Sequence, residues 1–545
     1  MADEQTPHDR AAKPPRDPWV FHPFLFAAFP VISLLSANAG TAPLVEAVWP
    51  LSISVGIVTT LYWGTRLVAR NKHKAGALLS LCVIVFFAYG IVLDTLRKLI
   101  HFHEMLDRWH VALAVLLVSL AGGWLLILLI RTRRSFVPVT QTMNRIALAA
   151  VVIAAGSTVY GKATMRSYTP DTAWEPPAVA PVREVDSKND PDIYFIILDS
   201  YARADALKTV FGYDNSGFLE ELRKRGFYVA DQGTSNYCFT ILCLASTLNM
   251  NYVDPSFVVP VHKFEAEMLP LSDMVRYSAV VTFLKKRGYT FVSFATGATA
   301  TEIHNADLYL SPGFAVTEFS KALIDLTPIR SILNRASPKT YFELHRERIL
   351  FALDWVERLR RFHGPLFVMA HIIAPHPAHV LDENGALPAA QEGLAEVQMD
   401  DEGMGPLNDR RPLVDFRTGY CDSVTYLNKR VLQIIDTIRK RSPNAVFIIQ
   451  GDHGPRRALA NPDFRLNSDA DFEPYVADMS HIFNAYGLPG VDTSKVFWPG
   501  ITPVNSFRVV LNSYFGTDFP MLDGYTYLTT PNEPDKLITL GPHPR

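Results

Sequence analysis

Charge is in short supply along this chain. Only 19% of its 545 residues are Asp, Glu, Lys or Arg, against 48% hydrophobic, a balance that is apolar for a soluble protein and points to a membrane portion. An excess of either sign is missing too: 52 Lys and Arg stand against 54 Asp and Glu, for a formal charge of −2. Neutralising nucleic-acid phosphates takes a basic surplus or a basic face, so this balance argues against a nucleic-acid partner. Cysteine is equally sparse. Cys82 falls in an apolar run, and Cys238, Cys243 and Cys421 together allow at most one intrachain bridge, whose pairing the spacing does not choose.

What is present is unevenly spread. At about 150 residues per domain, a chain of this length holds roughly two to four units. Apolar runs at about 21–35, 45–67, 75–96, 110–130 and 143–160 each approach the length a bilayer core requires, the first and last a little short. They predict five transmembrane helices, because burying such runs in a soluble protein would need a very large core. Arg66, Arg70, Lys72 and Lys74 follow the second run, and Arg131, Arg133, Arg134 and Arg145 follow the fourth. Those loops are expected in the cytoplasm, which puts everything after residue 160 on the far side. Ser36 to Ala39 also reads as a signal-peptidase site, whose use would leave the later spans oriented the same way. The amphipathic stretch 96–109 either lies in the outer lipid interface or is a polar connector. Pro170, Pro176, Pro177, Pro181 and Pro191 mark a semi-extended linker. The expected organisation is a cytoplasmic tail over 1–20, a membrane domain over 21–167, a linker over 168–191 and an extracytoplasmic domain over 192–545.

In that last domain, short β-prone runs at 194–198, 227–230, 290–294, 366–372 and 445–449 alternate with helical patterns at 216–225, 271–287, 341–362 and 420–440. Buried strands joined by helical crossovers predict an α/β domain with a mostly parallel central sheet. Ligands collect outside the carboxyl ends of such strands. Asp199, His371 and the pair Asp452 and His453 all fall at or just after predicted strand ends, and Thr240 opens the helical run 241–248. Each has a plainer reading: Asp199 as a turn cap, Thr240 as a helix N-cap, Gly-Asp-His-Gly as a polar turn. Taken together they are the parts of a metal-activated nucleophile.

The stretches DIYFIILDSYARADALK (192–208), TSNYCFTILCLASTLNMNY (234–252), HIIAPHPAHVLDENG (371–385), GDHG (451–454) and ITPVNSFRVVLNSYFG (501–516) carry a resemblance in their order. The chain resembles membrane members of the alkaline phosphatase superfamily, in the sulfatase-like branch of lipoteichoic acid synthases, phosphoglycerol transferases and phosphoethanolamine transferases. That resemblance implies metal ligands at Asp199, Asp452 and His453, a nucleophile and fourth ligand at Thr240, and a phosphate-contacting histidine or leaving-group acid at His376. His371 and His379, in or beside the same Pro-punctuated segment, are less specific candidates, at least one of them structural. Two carboxylates, an imidazole and an alkoxide suit one divalent ion, Zn2+ or Mn2+, with Mg2+ acceptable.

Further polar residues remain open. Arg203 either meets an anionic headgroup or pairs with Asp205; Asn236 is placed to orient Thr240; His481 is a candidate for a second metal site; and 502–508 is expected to be a structural turn into a helix. Neither Cys238 nor Cys243 begins the Cys-x-Pro-x-Arg sequence that formylglycine-dependent sulfatases require. The resemblance implies a multi-pass enzyme of a bacterial inner membrane with a periplasmic catalytic domain. It would move a phosphoglycerol or phosphoethanolamine headgroup from a membrane phospholipid to an envelope glycan or lipid through a phospho-threonine. A hydrolase on the same scaffold is the alternative, and a non-catalytic envelope module a third reading.

Overall fold

The computed structural model describes residues 17–38, 44–102, 132, 135–167, 190–253, 268–298, 301–312, 318–330, 341–361, 364–389, 415–456, 471–530 and 533–543. The chain forms two compact units, one of residues 1–37, 43–160 and 322–330, the other of 38–42, 161–321 and 331–545.

In the first unit the apolar runs become α1 (His22–Ala37), α2 (Leu44–Ala69), α3 (Lys72–Phe102) and α4 (Val137–Ser167). Among the described residues, three stretches are long and apolar enough to cross a membrane: Leu44–Leu67, Lys72–Val92 and Val137–Tyr160. The helix α1, at 16 residues, is shorter, and the run expected at 110–130 lies outside the described residues, so three of the five expected spans stand at full length. Trp49, Ile57, Leu67 and Ile153 are more than half exposed on these helices, as apolar side chains facing lipid would be. Polar side chains tie the helices together from within. Asn144 of α4 accepts the backbone N–H of His22 (3.0 Å) and donates to the Trp19 carbonyl (2.7 Å), capping the start of α1. The helix α3 runs on through the start of the expected amphipathic stretch; residues 103–109 and the linker over 168–189 lie outside the described residues.

The second unit is built on a seven-stranded sheet of order β2-β7-β6-β1-β5-β3-β4. Its strands are β1 (Ile193–Leu198), β2 (Tyr228–Val229), β3 (Thr290–Phe294), β4 (Leu308–Leu310), β5 (Leu366–Ile372), β6 (Val446–Gln450) and β7 (Asn484–Gly487). The core strand β1 runs parallel to both neighbours, with Leu198 opposite Ile372 and Ile197 opposite Gln450. All six β1 side chains are buried. Phe195 and Ile197 pack into one core layer with Leu242 and Phe507; Tyr194, Ile196 and Leu198 pack into the other with Val424 and Leu427. This two-sided burial explains the unbroken apolar run IYFIIL. Toward one edge β7 pairs antiparallel with β6, and the edge strand β2 pairs antiparallel with β7; a separate hairpin joins β8 (Gly524–Thr530) to β9 (Glu533–His543).

The helices include α5 (Ala204–Phe211), α6 (Ser216–Lys224), α7 (Thr240–Asn249), α8 (Met268–Arg276), α9 (Ala279–Lys286), α10 (Tyr341–Val356), α11 (Phe416–Arg441), α12 (Phe472–Ser480) and α13 (Ser506–Phe515). Two differ from the sequence patterns. The single helix expected over 271–287 is broken, because Ser278 takes an extended conformation and the Asn249 side chain enters the break, accepting from Ala279 N–H (3.0 Å) and donating to the Met274 carbonyl (2.9 Å). The helix expected over 341–362 stops at Val356. The segment 502–508 makes a 3-10 turn, Pro503–Asn505, leading into α13, and Arg508 there donates to the Met250 and Pro520 carbonyls.

Candidate active site

The in-register carboxyl ends of β1, β5 and β6 bring Asp199, His371 and the turn at 451–453 to one place. Asp199 follows β1 directly. Its N–H donates to the Ile372 carbonyl (2.9 Å) and its Oδ2 accepts from His371 Nε2 (3.0 Å). The next residue, Ser200, sits in the left-handed region at φ +65°, which a residue with a side chain adopts only when its surroundings hold it there. The surroundings are visible. Ser200 N–H donates to Asp452 Oδ1 (3.0 Å), its hydroxyl donates to Asp199 Oδ1 (3.2 Å), and its carbonyl accepts the Tyr420 hydroxyl (2.6 Å). The Tyr420 oxygen also accepts Ala202 N–H (2.9 Å), so α11 braces the turn.

Asp452 Oδ1 accepts a second backbone bond, from His453 N–H (2.9 Å), whereas Oδ2 is buried and has no hydrogen-bond partner among the described residues. His453 is fully buried. Its Nδ1 donates to the Gly454 carbonyl (2.8 Å), which leaves Nε2 to face Thr240 Oγ1 at 3.1 Å and the Asp199 Oδ1 and Asp452 Oδ2 atoms at 3.5 Å each. Burial pushes the His453 imidazole down to about 4, so the ring is neutral. Burial also raises the Asp199 carboxyl, but the hydrogen bond from His371 Nε2 and the field of that ring outweigh it and hold it below the usual carboxylate range.

Asp199, Asp452 and His453 each offer a ligand atom within 4.8 Å of the others, all from buried residues. A neutral imidazole lone pair facing two carboxylate oxygens, one of them unpartnered, is an unfavourable grouping unless a cation lies between them. The donor set fits a divalent ion, with Thr240 as the fourth donor. Thr240 is the first residue of α7, and Phe239 occupies the N-cap position without a side-chain bond. The expected N-cap role for Thr240 is therefore not found. Its hydroxyl is turned to His453 instead, at the helix end where unsatisfied N–H groups favour negative charge.

The other candidates separate. Both His376 ring nitrogens are engaged: Nδ1 donates to the Pro377 carbonyl and Nε2 accepts from Arg456 Nη2 (3.2 Å), with the ring 6.3 Å from that of His453. His376 stands at the site but offers no free N–H. His379 packs edge-on against Phe416 (4.9 Å) and Tyr420 (6.0 Å), and a Cβ on Gly419 would come within 2.6 Å of it. It fills space between this loop and α11. Arg203 makes the plainer contact, pairing with Asp205 (2.7 and 2.6 Å) and donating to His481 Nδ1 (2.7 Å) and the Gly233 carbonyl (3.0 Å). His481 is thus committed to Arg203 and takes no part in the Asp199, Asp452 and His453 group. Asn236 does not orient Thr240. Its side chain accepts from Val504 N–H (2.9 Å) and donates to the Tyr525 carbonyl (2.8 Å), fastening β8 to the turn before α13. Among the described residues no disulfide joins Cys82, Cys238, Cys243 or Cys421. Sequence reading missed Ser200, Tyr420 and Arg456; Ser200, directly after Asp199, and Arg456, two residues after Gly454, lie close enough to a motif to have been noticed, and Tyr420 does not.

A family model described as Sulfatase matches residues 191–482. No curated protein matches the chain. Among solved structures, the chain is similar to the C-terminal periplasmic domain of EcEptC from Escherichia coli in complex with Zn, at 13% identity over 66% of this chain and 96% of that one, with a TM-score of 0.41. The integral membrane lipooligosaccharide phosphoethanolamine transferase A from Neisseria meningitidis matches at 13% identity over 90% and 95%, TM-score 0.37. The lipoteichoic acid synthase LtaP from Listeria monocytogenes matches at 13% over 62% and 75%, TM-score 0.34.

Proposed function

The chain belongs to the sulfatase family, and from that premise we propose that it is a metal-dependent membrane phosphotransferase moving a phospholipid headgroup, phosphoglycerol or phosphoethanolamine, to an envelope glycan or lipid. One observation carries this reading: the Thr240 hydroxyl lies 3.1 Å from His453 Nε2, within a buried group of two carboxylates that includes an unpartnered oxygen. A threonine in that position, with no Cys-x-Pro-x-Arg sequence in the chain, makes an oxygen nucleophile directly encoded rather than generated by modification.

Asp199, Asp452, His453 and Thr240 would hold the ion. When bound, it lowers the pKa of the threonine hydroxyl and neutralises charge on the attacked phosphoryl group. Thr240 Oγ forms a bond to phosphorus as the bond from phosphorus to the diacylglycerol oxygen breaks, and that oxygen leaves with a proton as the alcohol. The headgroup phosphate is then an ester on Thr240. A hydroxyl of the acceptor displaces Thr240 in a second in-line step, which restores the threonine and gives ping-pong kinetics. His371 and the turn at Ser200 keep Asp199 and Asp452 aimed. The apolar helices fit a chain whose lipid donor and product remain in the bilayer, with the catalytic unit on the periplasmic side of a bacterial inner membrane.

The test uses the full chain in lipid nanodiscs with headgroup-labelled phospholipid and envelope lipid and glycan fractions. The wild type is expected to move label to an acceptor, and Thr240→Ala to lose that transfer. Transfer surviving in Thr240→Ala would refute the assignment, and label released only to water would identify a hydrolase.

A further inference from the structure

Arg456 reaches the segment just before Thr240 and the His376 ring, and its placement is costly. Its backbone is at φ +55°, a left-handed conformation that long side chains avoid. Contacts with the end of α12 impose it: Arg456 N–H donates to the Asp478 carbonyl (3.0 Å) and Gly454 N–H to the Met479 carbonyl (2.9 Å). Any side chain at Gly454 would collide there, since a Cβ would lie 2.3 Å from the Asp478 oxygen. The turn at 454–456 is held in this form and carries the Arg456 side chain back over the site.

The guanidinium is set between the segment leading into Thr240 and the loop after β5. Its Nη1 donates to the Cys238 carbonyl (3.3 Å), its Nη2 donates to His376 Nε2 (3.2 Å), and its Cζ lies 5.4 Å from the centre of the Phe239 ring. Phe239 immediately precedes Thr240, and the His376 ring lies 6.3 Å from that of His453, so the cation is held between two groups that border the site. Because His376 Nδ1 is turned to the Pro377 carbonyl, its Nε2 can only accept. His376 therefore orients the guanidinium and does not itself donate to a ligand. An arginine has five N–H donors; these two contacts fix the plane of the group, and Phe239 covers one face of it.

We propose that Arg456 is a catalytic residue that donates to the non-bridging oxygens of the transferred phosphodiester, with His376 as its positioning residue. The proposal rests on the reading of Thr240 as the nucleophile. A guanidinium fork matches two phosphoryl oxygens in geometry and keeps its charge at every working pH. Aimed at oxygens that gain charge as Thr240 attacks, and already in place before the reaction, it stabilises the transition state more than the ground state.

The experiment compares wild type, Arg456→Met and Arg456→Lys, each as full chain in nanodiscs and loaded with zinc. Three quantities are measured: zinc content, the Kd of inorganic phosphate by calorimetry, and kcat/KM for headgroup transfer. Zinc content is expected to stay at the wild-type value. Phosphate binding should weaken about tenfold in Arg456→Met, and kcat/KM should fall about 10²-fold, the usual cost of one transition-state donor. Arg456→Lys, which keeps the charge but not the fork, should recover part of both. Wild-type phosphate affinity in Arg456→Met with zinc intact would overturn the proposal. Loss of zinc from both variants would also overturn it, since Arg456 would then be a support of the metal site. If the wild type transfers no headgroup, the proposed function fails while the phosphate measurement still judges Arg456.

Discussion

Asp452→Asn separates metal binding from fold stability, because the two oxygens of this carboxylate do different things. Oδ1 accepts N–H bonds from Ser200 (3.0 Å) and His453 (2.9 Å), while Oδ2 is buried without a hydrogen-bond partner among the described residues, 3.5 Å from His453 Nε2. In the variant, the amide oxygen keeps both backbone bonds and the amide nitrogen takes the place of Oδ2, where it donates to the His453 lone pair. The metal-free protein thus loses a buried unsatisfied acceptor and one of two neighbouring carboxylate charges. Satisfying such a group is worth about 1–3 kcal/mol. At roughly 2 °C per kcal/mol for a large domain, the variant should melt about 2–6 °C above wild type in EDTA. Zinc should act in the opposite sense. At a hundredfold over its Kd it stabilises wild type by about 2.7 kcal/mol, roughly 5 °C on the same scale, and this shift should be largely absent from the variant. Differential scanning fluorimetry of both proteins, in EDTA and in zinc, reads all four melting points. A variant that melts below wild type in EDTA, or that keeps the full zinc shift, would refute the assignment of Oδ2 as a metal-facing atom.

Tyr420→Phe removes the hydroxyl that holds Ser200 and Ala202 but keeps the ring stacked on Phe211 (4.3 Å). It should cost about 1–3 kcal/mol in urea unfolding and weaken zinc binding in calorimetry; unchanged zinc affinity would show that the Ser200 turn does not position the ligands. His379 gives a pH dependence. Burial pushes its imidazole down to about 3, against an ordinary value of about 6.5 in the unfolded chain. Below pH 6.5 the unfolded state binds a proton that the folded state refuses, so this contribution to stability is intact above 6.5 and is lost as pH falls toward 3. His379→Phe, packing on the same rings, should lose less stability between pH 7 and pH 5 than wild type in denaturant titrations, and an identical loss would count against a neutral buried imidazole.

The central sheet and the grouping of Asp199, Asp452 and His453, with Thr240 beside His453, were legible because each rests on a local pattern. Apolar runs that end on Asp199, His371 or the Gly451 turn are strands buried on both faces, and parallel strands in register bring their ends together without further information. What escaped reading depends on partners far away in sequence. Arg203 and His481 are 278 residues apart, and only the fold shows that they satisfy each other. Asn236 was near Thr240 in sequence but is claimed by Val504 and Tyr525. The strand β7, NAYG, is too short and too rich in small residues to register as a strand, yet it pairs antiparallel with β6 and with the edge strand β2. The left-handed conformations of Ser200 and Arg456 have no composition signal, because neither is the glycine that such positions usually carry. In the first unit, hydropathy identified the runs that became α2, α3 and α4.

The central claim is that Thr240 carries the transferred group, and acid-quenched enzyme analysed by peptide mass spectrometry tests it most directly. Full-length zinc-loaded protein incubated with phospholipid donor and no acceptor is expected to yield a fraction of the Thr240 peptide heavier by one headgroup phosphate, reversed on adding acceptor. Continued turnover with Thr240 unmodified, or with the phosphate on another residue, would contradict it.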